Sequence, residues 1–227
     1  MCGRYVLKIN QQFDLLHSVR IANWPKEDRY NIAPAQNVPV VRTVDGKRVA
    51  DQLRWGLIPF FAKGRAGPQT LIHARVETFE TSAAYRGPWK WGQRCLQIAS
   101  GFYEWHQGDG RRTPFFIHIT DQEQFAIASL WDRSIDEAGS AQDSCAMITL
   151  PANKLMHHIH NTGRNPSRMP AILAKEDWEA WLTGWPEEAA EVLKPYPDDR
   201  MGVWEVSTLV NSQRNQGPEL IAPALQL

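Results

Sequence analysis

The sequence predicts an α+β fold, a single domain over residues 1–227 with a mixed, strand-rich core and short flanking helices. Three observations lead there. Short β-branched and aromatic runs recur along the chain between Gly, Pro and Asp punctuation, one Asp-Gly pair stands between two such runs, and helical spacing is confined to short stretches. With 227 residues, 43% of them hydrophobic, the chain is long enough to bury one sizeable core.

In chain order, residues 10–20 read as a short helix with Asn10 as N-cap and Phe13, Leu16 and Val19 on one face. Residues 38–58 read as a hairpin whose turn is Asp45-Gly46, a pair that accepts the positive φ of a tight hairpin turn. Further strands are expected at 95–100, 115–119, 124–130, 144–149, 170–174 and 203–207, with the GDGRR turn at 108–112 between two of them. Helices are expected at 175–182, where Trp178, Trp181 and Leu182 share a face ahead of Gly184, and at 187–194. The stretches 60–70 (FFAKGRAGPQT) and 155–168 (LMHHIHNTGRNPSR) read as polar, Gly/Pro-punctuated loops, the kind of segment that often carries function.

Lysine plus arginine and aspartate plus glutamate each number 25, so net charge gives no sign of a nucleic-acid partner. The distribution says more: residues 176–199 hold eight acids against Lys194, a net of −7, which leaves the remainder of the chain at +7. A neutral protein can therefore carry a basic face. Three cysteines, Cys2, Cys95 and Cys145, without CxxC spacing argue against a disulfide framework and a zinc site, and fit a reducing, cytoplasmic setting. No apolar leader or membrane-length run is present, and no cofactor or metal is expected. Ten tryptophans are many for this length; core is the expectation for most of them, stacking surface for a few.

The first residues, MCGRY, raise the chemical question. Removal of Met1 would leave an α-amine and a thiol on Cys2, groups that titrate at about 7.7–8.0 and about 8.5 when unperturbed. The amine can attack an aldehyde to give an imine and the thiol can close on the imine carbon as a thiazolidine; alternatively a thiolate attacks an acyl carbon. A small buried side chain is the plain alternative.

Six further stretches accompany it: RYNIAPAQ (29–36), RWGLIPFFAK (54–63), HARVETF (73–79), GFYEWH (101–106), IHNTGRNPSRMPAIL (159–173) and NSQRNQGPEL (211–220). In that order, spanning residue 2 to about 220, they resemble the SRAP family, the SOS-response-associated peptidases also described as abasic-site processing proteins. The resemblance implies barrel-like sheets, loss of Met1, and a Cys2 that traps the ring-opened aldehyde of an abasic site in single-stranded DNA as a thiazolidine crosslink. It also implies an autoproteolytic or peptidase activity of the same cysteine and a lyase activity at abasic sites. Cys2 is then the nucleophile, Glu104 the proton shuttle that opens the sugar ring, and His160 the imidazole that accepts or returns protons. At the head of its motif the family carries asparagine where this chain has His73, which can also donate and accept hydrogen bonds. Arg4, Asn31, Arg75, Trp105 and Arg168 lie in matched motifs as DNA contacts, and Phe60 and Phe61 are placed to stack on bases, with ordinary core packing expected for at least one of the two. The expected partner is abasic single-stranded DNA, met by a monomer with no membrane association. Two other readings compete: a peptidase acting on proteins through Cys2 and His160, and a noncatalytic single-strand binding module in which Cys2 is structural.

Overall fold

A computed structural model describes residues 2–9, 19–65 and 71–224. The first strand, β1 (Tyr5–Leu7), is followed by β2 (Arg20–Ile21), β3 (Arg29–Ile32), β4 (Asn37–Val44), β5 (Lys47–Trp55), β6 (His73–Arg75), β7 (Arg94–Ala99) and β8 (Gly101–Gly108). Then come β9 (Arg111–Ile119), β10 (Phe125–Ile135), β11 (Ala141–Pro151), β12 (Arg168–Pro170), β13 (Ile172–Leu173) and β14 (Met201–Glu205). The helices are short: α1 (Arg86–Lys90), α2 (Lys154–Ile159), α3 (Trp178–Thr183) and α4 (Pro186–Glu191).

The strands form two sheets, which bears out the α+β expectation. One runs β14-β9-β8-β1-β3, the other β12-β11-β10-β7-β4-β5-β2. In the second, β11 also pairs with β5 in parallel, Ser144 opposite Arg54 and Cys145 opposite Trp55, so β5, β4, β7, β10 and β11 close into a five-stranded barrel. Closure satisfies edges that would otherwise be open to other chains. The larger core fills this barrel and the space between the sheets, with Tyr5, Trp55, Leu96, Phe102, Ile127 and Trp181 all fully covered.

The 38–58 hairpin is β4 and β5, in register from Asn37–Arg54 to Val44–Lys47, and both turn residues take positive φ, 49° at Asp45 and 70° at Gly46. Asp109 and Gly110 repeat the device between β8 and β9. The helix expected at 10–20 lies, through residue 18, outside the described residues, and Arg20 begins β2 instead. The stretch 155–168 is not loop throughout: α2 takes its first turn and a half. Asn153 caps that helix by accepting from the Met156 N–H at 2.9 Å, and Met156 and Ile159 turn into the core. The three cysteines are free and buried. Among the described residues no helix is long and apolar enough to cross a membrane.

Candidate active site

β1 lies between β3 and β8, so the residues just ahead of it are carried into the middle of the smaller sheet. Tyr5 pairs with Phe102, and the Tyr103 N–H donates to the Arg4 carbonyl at 3.0 Å. Cys2 is thereby placed beside the strand that bears Glu104, and is itself only 1% exposed. Its Sγ lies 3.6 Å from the Arg4 carbonyl. Its own carbonyl is held by His73, whose Nε2 is 2.7 Å away.

His73 reaches that position because β6 runs parallel to β11, with Met147 opposite His73. Two aromatic neighbours fix it. The Tyr85 hydroxyl donates to the His73 carbonyl at 2.9 Å, and the Trp55 indole meets the imidazole edge-on with centroids 6.4 Å apart. His160 ends α2. Its Nδ1 lies 3.1 and 3.2 Å from the carbonyl and amide of Arg168, which fixes the orientation of the ring. The loop after it is tied to β8 by Asn161, which accepts from the Gln107 N–H at 2.8 Å and donates to the Gln107 carbonyl at 2.9 Å. Asn161 carries no spacing signal in the sequence; it is found only from this reciprocal pair.

Burial sets the protonation states. Glu104, on the covered half of β8, has its pKa pushed up to about 7 by desolvation. Desolvation also lowers His73 and His160 to about 4, so both imidazoles are neutral in neutral solution and His73 donates its Nε2–H to the Cys2 carbonyl. The Cys2 thiol is held protonated, first by burial and then by the charge of Glu104. His160 in turn contributes to lowering the pKa of His73, so the side chains share one electrostatic environment. Groups whose pKa values are moved this far by burial are suited to proton transfer. Among the described residues no group of three or more His, Cys, Asp or Glu is placed to hold a metal ion.

The profile of the SOS response associated peptidase (SRAP) family matches residues 1–213. The chain belongs to this family. It is 34% identical over 229 residues to the abasic site processing protein YoqW of Bacillus subtilis, covering 97% of this chain and 99% of that one. It is 30% identical over 237 residues to the abasic site processing protein HMCES of Gallus gallus, covering 88% of this chain and 68% of that one. In fold it is similar to the crystal structure of a protein from Bacteroides thetaiotaomicron, with a TM-score of 0.85 over 99% of this chain and 100% of that one at 24% identity.

The remaining sequence-predicted residues of this SRAP chain fall into two groups. Three are occupied within the fold. Arg4 Nη1 donates to Asn31 Oδ1 at 2.8 Å and to the Val210 carbonyl at 2.9 Å. Asn31 is fully buried, and its Nδ2 donates to the carbonyls of Val210, Ser212 and Asn215 at 3.3, 3.0 and 3.1 Å. Asn31 therefore clasps the 208–216 segment and offers no surface to DNA, a correction to its reading as a direct contact. Arg168 donates to Glu77 and, at 2.6 Å, to the Thr149 carbonyl, so its side chain braces the strand that follows His160.

The others face solvent. Arg75 is exposed and donates to Asn165 Oδ1 at 2.6 Å. Trp105 is half-buried, with its indole N–H on Asn211 Oδ1 at 2.8 Å and the Arg112 guanidinium 5.2 Å from its ring centroid. Phe60 and Phe61 are 50% and 52% exposed, so neither is core, contrary to the expectation for at least one of them. The cause is local: Phe60–Ala62 is a single 3-10 turn none of whose residues is buried, and its first N–H is taken by the Asp132 carboxylate at 2.8 Å.

Proposed function

We propose that this protein processes abasic sites in single-stranded DNA by trapping the ring-opened sugar on Cys2 after Met1 has been removed. The observation that carries the reading is the arrangement at Cys2. A hydrogen-bonded carbonyl holds the residue still, and a carboxyl with a pKa of about 7 stands next to it. A group that titrates there can give a proton to the ring oxygen of the closed sugar and take one back in the following step.

The steps balance with no further reactant. The free amine of Cys2 adds to the aldehyde carbon, forming a C–N bond, and the carbinolamine loses water to give an iminium ion. The thiol adds to the same carbon, forming a C–S bond and closing the thiazolidine, and its proton leaves to a nearby base. Glu104 and the neutral His160 are the groups within the site that can accept it. One water is released overall. The names of relatives such as YoqW and HMCES, abasic site processing proteins, support the substrate class. The peptidase and lyase activities implied by the family resemblance would draw on the same thiol and carboxyl. On this reading the protein works as a monomer on DNA inside the cell.

The test uses chain with an authentic Cys2 N-terminus and an oligonucleotide bearing one abasic site, followed by a denaturing gel and intact mass. The expected product is an adduct equal to the sum of the two masses less one water. Cys2→Ala, a retained Met1 and a tetrahydrofuran analogue without the anomeric hydroxyl should each give none. An adduct from the Met1-capped chain would rule the thiazolidine out.

A further inference from the structure

Trp91 is 57% exposed, an unusual setting for the largest side chain, and it is not alone. Its ring meets Phe60 with centroids 5.4 Å apart at 63°, and Phe60 meets Phe61 at 5.5 Å and 83°. Three half-exposed aromatic rings from two distant segments thus form one patch, where a monomer surface usually scatters them singly.

The patch is built and not left over from packing. The loop bearing Phe60 and Phe61 is pinned by backbone donors: Ile58 N–H to Ser144 Oγ, Phe60 N–H to Asp132 and Gly64 N–H to Ser134 Oγ, each at 2.8 Å. On the other wall, the Trp91 N–H donates to the Gly87 carbonyl at 2.9 Å. The indole lies back over α1 because position 87 has no side chain; a Cβ there would come within 3.1 Å of the ring. Both walls lead back to the site. Trp55, whose indole touches His73, is five residues from Phe60, while Phe79, hydrogen-bonded to the Arg75 carbonyl, packs on Trp89, two residues from Trp91. The same two segments carry exposed cations, Lys63 two residues past Phe61 and Arg86 and Lys90 on α1 just ahead of Trp91.

We propose that Trp91 completes an aromatic platform with Phe60 and Phe61 that stacks an unpaired nucleobase of the strand neighbouring the lesion, its phosphates facing these cations. The chemistry fits this occupant: every base presents a π-face, so stacking holds any sequence, and exposed cations on the segments that bear the rings match a phosphate backbone that a peptide partner lacks. The platform rests on the reading that the protein engages single-stranded DNA, and it adds a binding residue that the sequence motifs do not mark. Trp91 is a binding residue here and takes no part in bond making.

The experiment scans 2-aminopurine one nucleotide at a time along an abasic single strand and follows its emission on binding to the full chain and to Trp91→Ala and Trp91→Phe. One flanking position should be quenched by wild type and by the phenylalanine variant but not by the alanine variant, whose affinity falls about tenfold. The rate of adduct formation at subsaturating DNA should fall with the affinity, and the exposed site predicts an unaltered thermal melt. Equal affinity and equal quenching at every position in wild type and Trp91→Ala, with the Cys2-dependent adduct normal, would overturn the platform alone. Trp91-dependent quenching without any adduct would support the platform and overturn the aldehyde trap.

Discussion

Two regions of this molecule bury titratable side chains and treat them in opposite ways. Inside the barrel wall, Arg42 of β4 lies between Asp51 of β5 at 3.0 Å and Asp143 of β11 at 2.6 Å, with its guanidinium 4.3 Å from the centre of the Trp131 ring. Arg133 of β10 adds a bidentate pair to Asp143 at 2.7 and 2.8 Å. Burial pushes the Asp143 carboxyl up, but the hydrogen bonds and charges of Arg133 and Arg42 outweigh it and hold the pKa below the usual range. At the Cys2 site burial outweighs the partners that oppose it: Glu104 rises to about 7 although a backbone hydrogen bond at Trp105 and the charge of Arg112 pull it down, while His73 and His160 fall to about 4. Where pairing outweighs burial a charge is preserved, and where burial outweighs pairing a proton becomes easy to move near neutrality.

The largest effect expected from breaking this contrast is at Glu104. Glu104→Gln keeps the shape but cannot carry a proton, so the single-turnover rate on abasic DNA should fall by roughly 10²–10⁴. An unchanged rate would reduce Glu104 to a passive part of β8. The matching change in the barrel should do the reverse. Asp143→Asn weakens a buried pair and should cost about 3 kcal/mol in a denaturant titration, with the adduct rate of the folded protein unaffected.

A smaller effect separates hydrogen bonding from titration at His73. Its Nε2–H donates to the Cys2 carbonyl, and an asparagine amide can donate as well, so His73→Asn should stay within about tenfold of wild type while His73→Ala loses more. Equal damage in both variants would give the imidazole a proton-transfer part of its own.

The smallest effect is in the pH dependence of stability. The folded pKa of Glu104 lies above its ordinary value of 4.5, so between 4.5 and about 7 the folded state binds more protons and loses stability as pH rises. His73 and His160 lie below 6.5, so they contribute stability that is lost as pH falls from 6.5 toward about 4. Melts from pH 5 to 8 should therefore show Glu104→Gln gaining on wild type as pH rises, by a few degrees at most. A constant difference between the two would remove the raised carboxyl from the site.

Much of the fold was legible because its signals are local. Asp45-Gly46 marks a turn on its own, and the run at 124–130 needs only neighbours to read as a strand, observed as β10 (Phe125–Ile135). The parallel seam between β5 and β11 has no local signal, since it joins residues 54–55 to 144–145. α2 was missed because three polar residues, His157, His158 and His160, mask the spacing of Met156 and Ile159. At the site, residue types and motif order pointed to Cys2, Glu104, His160 and His73, yet the hydrogen bond from His73 to the Cys2 carbonyl is a tertiary fact. Asn31 shows the opposite limit: a polar residue in a matched motif reads as a contact until its three carbonyl partners are seen.

The seam that closes the barrel bears on when the Cys2 site is assembled. Cys2 is made within the first moments of synthesis, but His73 joins it through β6, which hangs on β11, and β11 must also find β5 across the chain. Contacts this distant in sequence form late, after loop-closure entropy has been overcome. Glu104 acquires its shifted pKa only once β8 is covered on both sides. On the proposed reading, an aldehyde finds no assembled chemistry at Cys2 until β11 has closed the barrel.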